Sequence, residues 1–179
     1  MLKSYSYKAA AHWTNHKRGI VDGDAIPRTI NFAAPPEFGG EPGLWTPEHL
    51  LLAAVSTWHG ATLRAIAEAS KLEFDGVEVP IEGKIEKLEG GFKFTRITLR
   101  PVVTIHQEKD RERIGRVLEK AEHVFLVSRS LDCAIALEPT IVVASLVGST
   151  NLSTEYAVPS TEYRVKTELP RKASAQLHL

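Results

Sequence analysis

Sulfur is nearly absent from this chain: its 179 residues include one cysteine, Cys133, and one methionine. A single thiol excludes an intrachain disulfide and any catalytic cycle that needs two cysteines of the same chain. Net charge is missing too. Twenty-two Lys and Arg stand against 22 Asp and Glu, so no basic field exists to attract nucleic acid or anionic lipid. No uncharged run reaches the length of a membrane span, and Met1 to Lys8 holds no apolar core of a secretory leader, so a cytoplasmic protein with no nucleic-acid or membrane partner is expected. Glycine-rich phosphate loops, Ser/His/Asp orders and zinc spacings are lacking as well. His49 and His59 would sit about 15 Å apart on one helix, too far to share an ion, and neither a metal nor a cofactor is expected.

What the chain does have is alternation and helical periodicity, enough for one core. Tyr5, Tyr7, Ala9, Ala11 and Trp13 alternate with Ser6, Lys8, Ala10 and His12, predicting a half-buried strand over 5–13. Lys17–Val21 and Arg28–Phe32 extend a meander, with Asp22-Gly23-Asp24 between them. Ala33 to Thr46 holds Pro35-Pro36, Gly39-Gly40, Pro42 and Gly43 and reads as an irregular loop. A helix follows over 46–69: Thr46 caps it, Pro47 suits its first position and Glu48 complements its dipole. From Leu50 to Ile66 it is apolar almost all round, which predicts burial on more than one face. Val77 to Glu86 alternates as a strand with Pro80 at an edge position, and Phe92 to Ile105 forms a second. The apolar phase of that second strand shifts, calling for a bulge or a new packing partner near Thr95. Ile114, Val117, Leu118, Ala121 and Val124 mark a second amphipathic helix, and Ala134–Leu137 with Thr140–Val147 a closing strand interrupted at Pro139. Residues 1–147 are therefore expected to form one α+β domain. Residues 148–179 are expected to be a tail, either a flexible end or an arm laid on a partner.

The run Thr46-Pro47-Glu48-His49-Leu50-Leu51-Leu52-Ala53-Ala54-Val55-Ser56-Thr57-Trp58 resembles the helix signature of the OsmC/Ohr family of thiol peroxidases, with Trp58 at the place of the reactive cysteine. The likeness continues in order from about residue 7 to 147. Ala11-His12-Trp13 with Lys17-Arg18-Gly19 is similar to the hairpin that supplies an arginine to the family's active site. Gly40-Glu41-Pro42-Gly43 is similar to its glycine-rich entry loop. Ala121 to Leu131 is similar to the segment carrying its second cysteine, where this chain has Phe125 followed by Leu126 in place of a proline. The resemblance implies an OsmC-like fold, in which a curved antiparallel sheet wraps around two long helices, and an intertwined homodimer.

It also implies a site. In the family a thiolate attacks the peroxide, a second thiol resolves the sulfenic acid, and arginine with glutamate tunes the first thiol. By that resemblance Arg18 and Glu48 are the tuning pair. Trp58 has no thiol to ionise and Phe125 cannot close a disulfide, so no catalytic residue is assigned and hydroperoxide reduction is not expected there. The candidate binding residues are Arg18, Glu48, Trp58, His59, His123 and Phe125. Each has an ordinary reading: Arg18 as a solvated hairpin residue, Glu48 as a dipole complement, Trp58 and Phe125 as filler of a vacated pocket, and the histidines as hydrogen-bonded core. A straight helix would separate Glu48 from Trp58 by about 15 Å, so either its start bends or a partner subunit completes the site. The expected function is binding of a small, largely apolar ligand or a structural role. The alternatives are an enzyme with altered, non-thiol chemistry at the former peroxide site, or a residual hydroperoxide reductase using Cys133.

Overall fold

The computed structural model describes residues 3–14, 17–123 and 130–144, apart from the side chains of residues 122 and 123. The expected tail, Val124, Phe125 and residues 145–147 of the closing strand lie outside the described residues. Two compact units make up the fold, Met1–His59 and Gly60–Leu179.

The first unit holds an antiparallel meander of β1 (Ala9–Trp13), β2 (Arg18–Gly23) and β3 (Ile30–Ala33), in that order across the sheet. Trp13 pairs with Gly19 and Gly19 with Phe32. A Cβ at Gly19 would lie 2.4 Å from the His12 carbonyl oxygen and 3.0 Å from the Phe32 ring. Glycine thus lets the strands close and the Trp13 ring meet Phe32 edge-on, with centroids 4.9 Å apart. Beyond β3 the chain turns through a short 3-10 segment, Pro36–Phe38, and the Ala33 N–H donates to the Trp45 carbonyl at 2.8 Å, fixing the entry to α1 (Pro47–Ala69). Correcting the expectation of a half-buried strand over 5–13, β1 covers only residues 9–13 and all five are exposed, as are Tyr5 and Tyr7. Alternation identifies a strand; it does not supply the layer that covers one of its faces.

In the second unit, three prolines interrupt three extended segments at one level. Pro80 separates β4 (Gly76–Glu78) from β5 (Ile81–Leu88), Pro101 separates β6 (Gly91–Leu99) from β7 (Val102–Ile105), and Pro139 separates β8 (Ala134–Leu137) from β9 (Thr140–Val143). One three-stranded sheet has the order β5-β6-β8 and the other β4-β7-β9. Each proline lacks a ladder donor, so the stretches expected as continuous strands over 77–86 and 92–105 each change sheets there. The level is stitched by Arg100 N–H to Pro80 O, Glu138 N–H to Leu99 O and Thr140 N–H to Pro101 O, each 2.8 Å. The Arg100 side chain reaches both Glu82 (3.0 Å) and Glu138 (2.9 Å). The phase shift also has its cause. Lys84 pairs with Arg96 but Ile85 pairs with Phe94, leaving Thr95 as the bulged residue.

Pairing is antiparallel except where β8 and β9 join β6 and β7 in parallel. That follows from α2 (Arg111–His123), which carries the chain back before the last strands. Ile114, Val117, Leu118 and Ala121 of α2 pack in one buried cluster with Leu63, Ala67, Leu72, Val103, Ile105 and Ile141. The architecture is α+β.

Along α1 the fully buried positions are Val55, His59, Leu63 and Ala67, spaced four residues apart as a single stripe. Among the described residues, the expected burial on more than one face reduces to this one stripe. By length and composition this helix could cross a membrane, yet such a helix is equally the core helix of a globular fold; only 22% of its most apolar stretch is buried.

Candidate functional site

Arg18 is the first residue of β2, and its guanidinium points to the loop before α1, where its Nη1 lies 3.1 Å from Glu41 Oε2. The neighbouring Lys17 donates from Nζ to the Phe38 carbonyl at 2.8 Å. Two successive cations of one strand start thus tie down the same loop. Sequence reasoning picked out Arg18 but not Glu41, whose only signal was its place in the glycine-rich Gly40-Glu41-Pro42-Gly43.

At the start of α1, Thr46 is buried and its Oγ1 shares a 2.9 Å hydrogen bond with His49 Nδ1, while the His49 N–H donates back to Oγ1 at 3.4 Å. This is the expected cap, with histidine where a capping box has glutamate. The Trp45 ring stands edge-on to His49, centroids 6.3 Å apart. Glu48 is half-buried in the first turn, and its Oε2 is buried without a hydrogen-bond donor among the described residues. Such an acceptor carries a desolvation penalty and is a place where a donor is wanted.

Three turns on, Trp58 is 43% exposed, and Ala54, one turn before it on the same helical face, is exposed as well. The large ring thus has a small apolar neighbour at an open surface. The next residue, His59, faces inward: it is 1% exposed, and burial drives its pKa from 6.5 to about 4. Its imidazole is accordingly neutral near pH 7.

His123 ends α2, with its side chain outside the described residues, as is the whole of Phe125. Arg18, Glu48, Trp58 and His59 all belong to the first unit. Cys133 is half-buried just before β8. Burial first, and the adjacent Asp132 carboxylate second, raise its thiol pKa, against the weaker opposing charge of Lys93. Both effects deplete the thiolate. Among the described residues no group of three or more His, Cys, Asp or Glu could hold a metal.

Comparison with known proteins matches residues 40–140 to the family described as OsmC-like protein. The uncharacterized protein YmaD of Bacillus subtilis (strain 168) is 24% identical over 141 residues, which is 76% of this chain and 93% of that protein. Among solved structures, an OsmC-like protein of unknown function from Vibrio cholerae superposes with a TM-score of 0.67 at 16% identity, covering 76% of this chain and 99% of the other. An organic hydroperoxide resistance protein OsmC from Legionella pneumophila superposes at 0.62 and 23% identity, covering 78% and 98%.

Proposed function

The chain belongs to the OsmC-like family, and from that premise we propose that it is a member without thiol peroxidase chemistry at the two former cysteine positions, binding a small, largely apolar ligand beside Trp58. The observation that carries this reading is the half-exposed indole beside the exposed Ala54. An aromatic residue that merely plugged a vacated pocket would be enclosed. A flat apolar ring with a low neighbour offers a stacking surface instead.

In this reading residues 1–147 form the family domain, 148–179 a tail, and the protein works as a cytoplasmic homodimer in which Arg18 and Glu48 also belong to the binding site, while His59 faces inward and does not touch the ligand. The raised thiol pKa of Cys133 speaks against a substitute peroxidase. Two measurements test the proposal. With dithiol reductants the purified protein is expected to leave organic hydroperoxides unreduced; robust turnover that vanishes on Cys133→Ser would overturn the first half. An apolar probe such as 1-naphthol is expected to quench tryptophan fluorescence saturably, and Trp58→Ala to abolish the saturable component. Saturable quenching that survives this substitution would overturn the second half.

A further inference from the structure

The second unit carries a cleft of about 940 Å³, lined by two stretches of chain, Arg64 to Phe74 and His106 to Arg113. Every lining residue belongs to that unit, and none is a candidate residue of the site beside Trp58. We infer that this cleft binds a small anion bearing carboxylate or phosphate groups, with Arg64, Lys71 and Lys109 as its contacts.

The charges lining the cleft are not equally free. Arg113 donates from Nη2 to the Ser70 carbonyl at 3.3 Å, and its Nη1 stands 3.6 Å from Asp110. His106 Nε2 lies 2.8 Å from Asp75. These groups tie the two stretches together and are already committed. Arg64, Lys71 and Lys109 are exposed and pair with no carboxylate among the described residues. Four other arginines of this unit, Arg100, Arg111, Arg113 and Arg116, each have one. Arg64 instead stands over the Phe74 ring, 5.2 Å from its centroid. A ring holds a guanidinium in place without cancelling its charge or consuming its fork of N–H donors, and that fork matches the paired oxygens of a carboxylate or phosphate.

Lys71 is fixed by its backbone, as the residue of φ 51° that closes α1, and Lys109 comes from the other stretch, in the 3-10 turn Glu108–Asp110 before α2. Cations therefore enter the cleft from both sides. Glu68 and Glu73 also line it without a cationic partner among the described residues. The uncommitted charge is then three positive against two negative, and a concave site concentrates such an excess more than an open face does. Apolar lining from Ala67, Leu72 and Phe74 gives the carbon skeleton of an organic anion something to rest on.

Calorimetric titration of the full chain at fixed ionic strength tests this, with citrate as the carboxylate probe and pyrophosphate as the phosphate probe. At least one of them is expected to bind saturably, one per chain, with a Kd of about 1 mM or tighter. Arg64→Gln and Lys109→Gln are each expected to weaken it about threefold or more, the scale of one exposed ion pair. The bound probe is also expected to protect Lys71 and Lys109 from acetylation but not Lys87, which is exposed and does not line the cleft. Binding of citrate alone identifies a carboxylate ligand, of pyrophosphate alone a phosphate ligand, and of both an oxyanion of either kind. No saturable binding of either probe overturns the inference. So does binding that keeps its affinity in both single variants, or that protects Lys87 as much as Lys71 and Lys109.

Discussion

His59 is buried as a neutral imidazole, and that has a consequence for stability. Its pKa falls from 6.5 to about 4 on folding, so between those values the unfolded chain binds a proton that the folded chain refuses. Stability from this residue is complete above about pH 6.5 and is lost as the pH falls toward 4. At one pK unit per 1.36 kcal/mol, the loss between pH 7.5 and pH 4.5 is about 2.5 kcal/mol. Urea unfolding at the two pH values is expected to show it, and His59→Leu to remove that share of the difference; an unchanged difference in the variant would refute the assignment. Trp58 presents the opposite case on the adjacent residue. Deleting an enclosed aromatic costs about 3 to 5 kcal/mol, but a ring 43% exposed has less to lose, and Trp58→Ala is expected to cost about 1 to 2 kcal/mol. A larger loss that grows with protein concentration would place the ring in a subunit contact instead. Both residues were legible as candidates in the sequence. Their inward and outward directions were not, because an almost uniformly apolar helix gives no periodicity from which to choose a face.

At the scale of the element, α1 ends at Ala69, as its sequence predicts, on a cap without glycine. The Leu72 N–H donates to Ala67 O at 3.0 Å and the Lys71 N–H to Glu68 O at 2.9 Å, the paired bonds of a Schellman cap, with Leu72 and Ala67 in the same buried cluster. The left-handed residue of that cap is Lys71, at φ 51°, where glycine is the usual occupant. Lys71→Gly is therefore expected to stabilise the fold by about 0.5 kcal/mol, the relief of a side chain in the left-handed region less some favourable charge at the helix end. A loss in thermal or urea midpoint would show that the Lys71 side chain contributes more than its backbone costs. At the start of α1, Thr46, Pro47 and Glu48 are signals in their own right. The phase shift of β6 was equally readable, and of its two possible causes, a bulge or a new packing partner, the register shows the bulge, with Thr95 the extra residue. Pro80, Pro101 and Pro139 were visible as breaks. Their alignment at one level was not, because it depends on register between segments far apart in sequence.

For the molecule as a whole, association of two chains is expected. Ile85, Leu88 and Phe92 of the β5–β6 hairpin are exposed large hydrophobics within the second unit, as suits an association surface, and sedimentation at micromolar concentration is expected to give the mass of two chains; a monomeric mass would refute the homodimer. The sequence by itself determined the α+β class, the OsmC-like likeness and the lack of a thiol pair, because helix caps, alternation and residue identity are local facts carried by neighbouring residues. Tertiary structure alone decided that Arg18 meets Glu41 while a buried oxygen of Glu48 meets no donor among the described residues, that His59 turns inward and Trp58 outward, and that the last strands add in parallel. Each of these depends on which distant segments come within a few ångströms, and side-chain pairing over such distances follows from packing and loop geometry that no local pattern encodes.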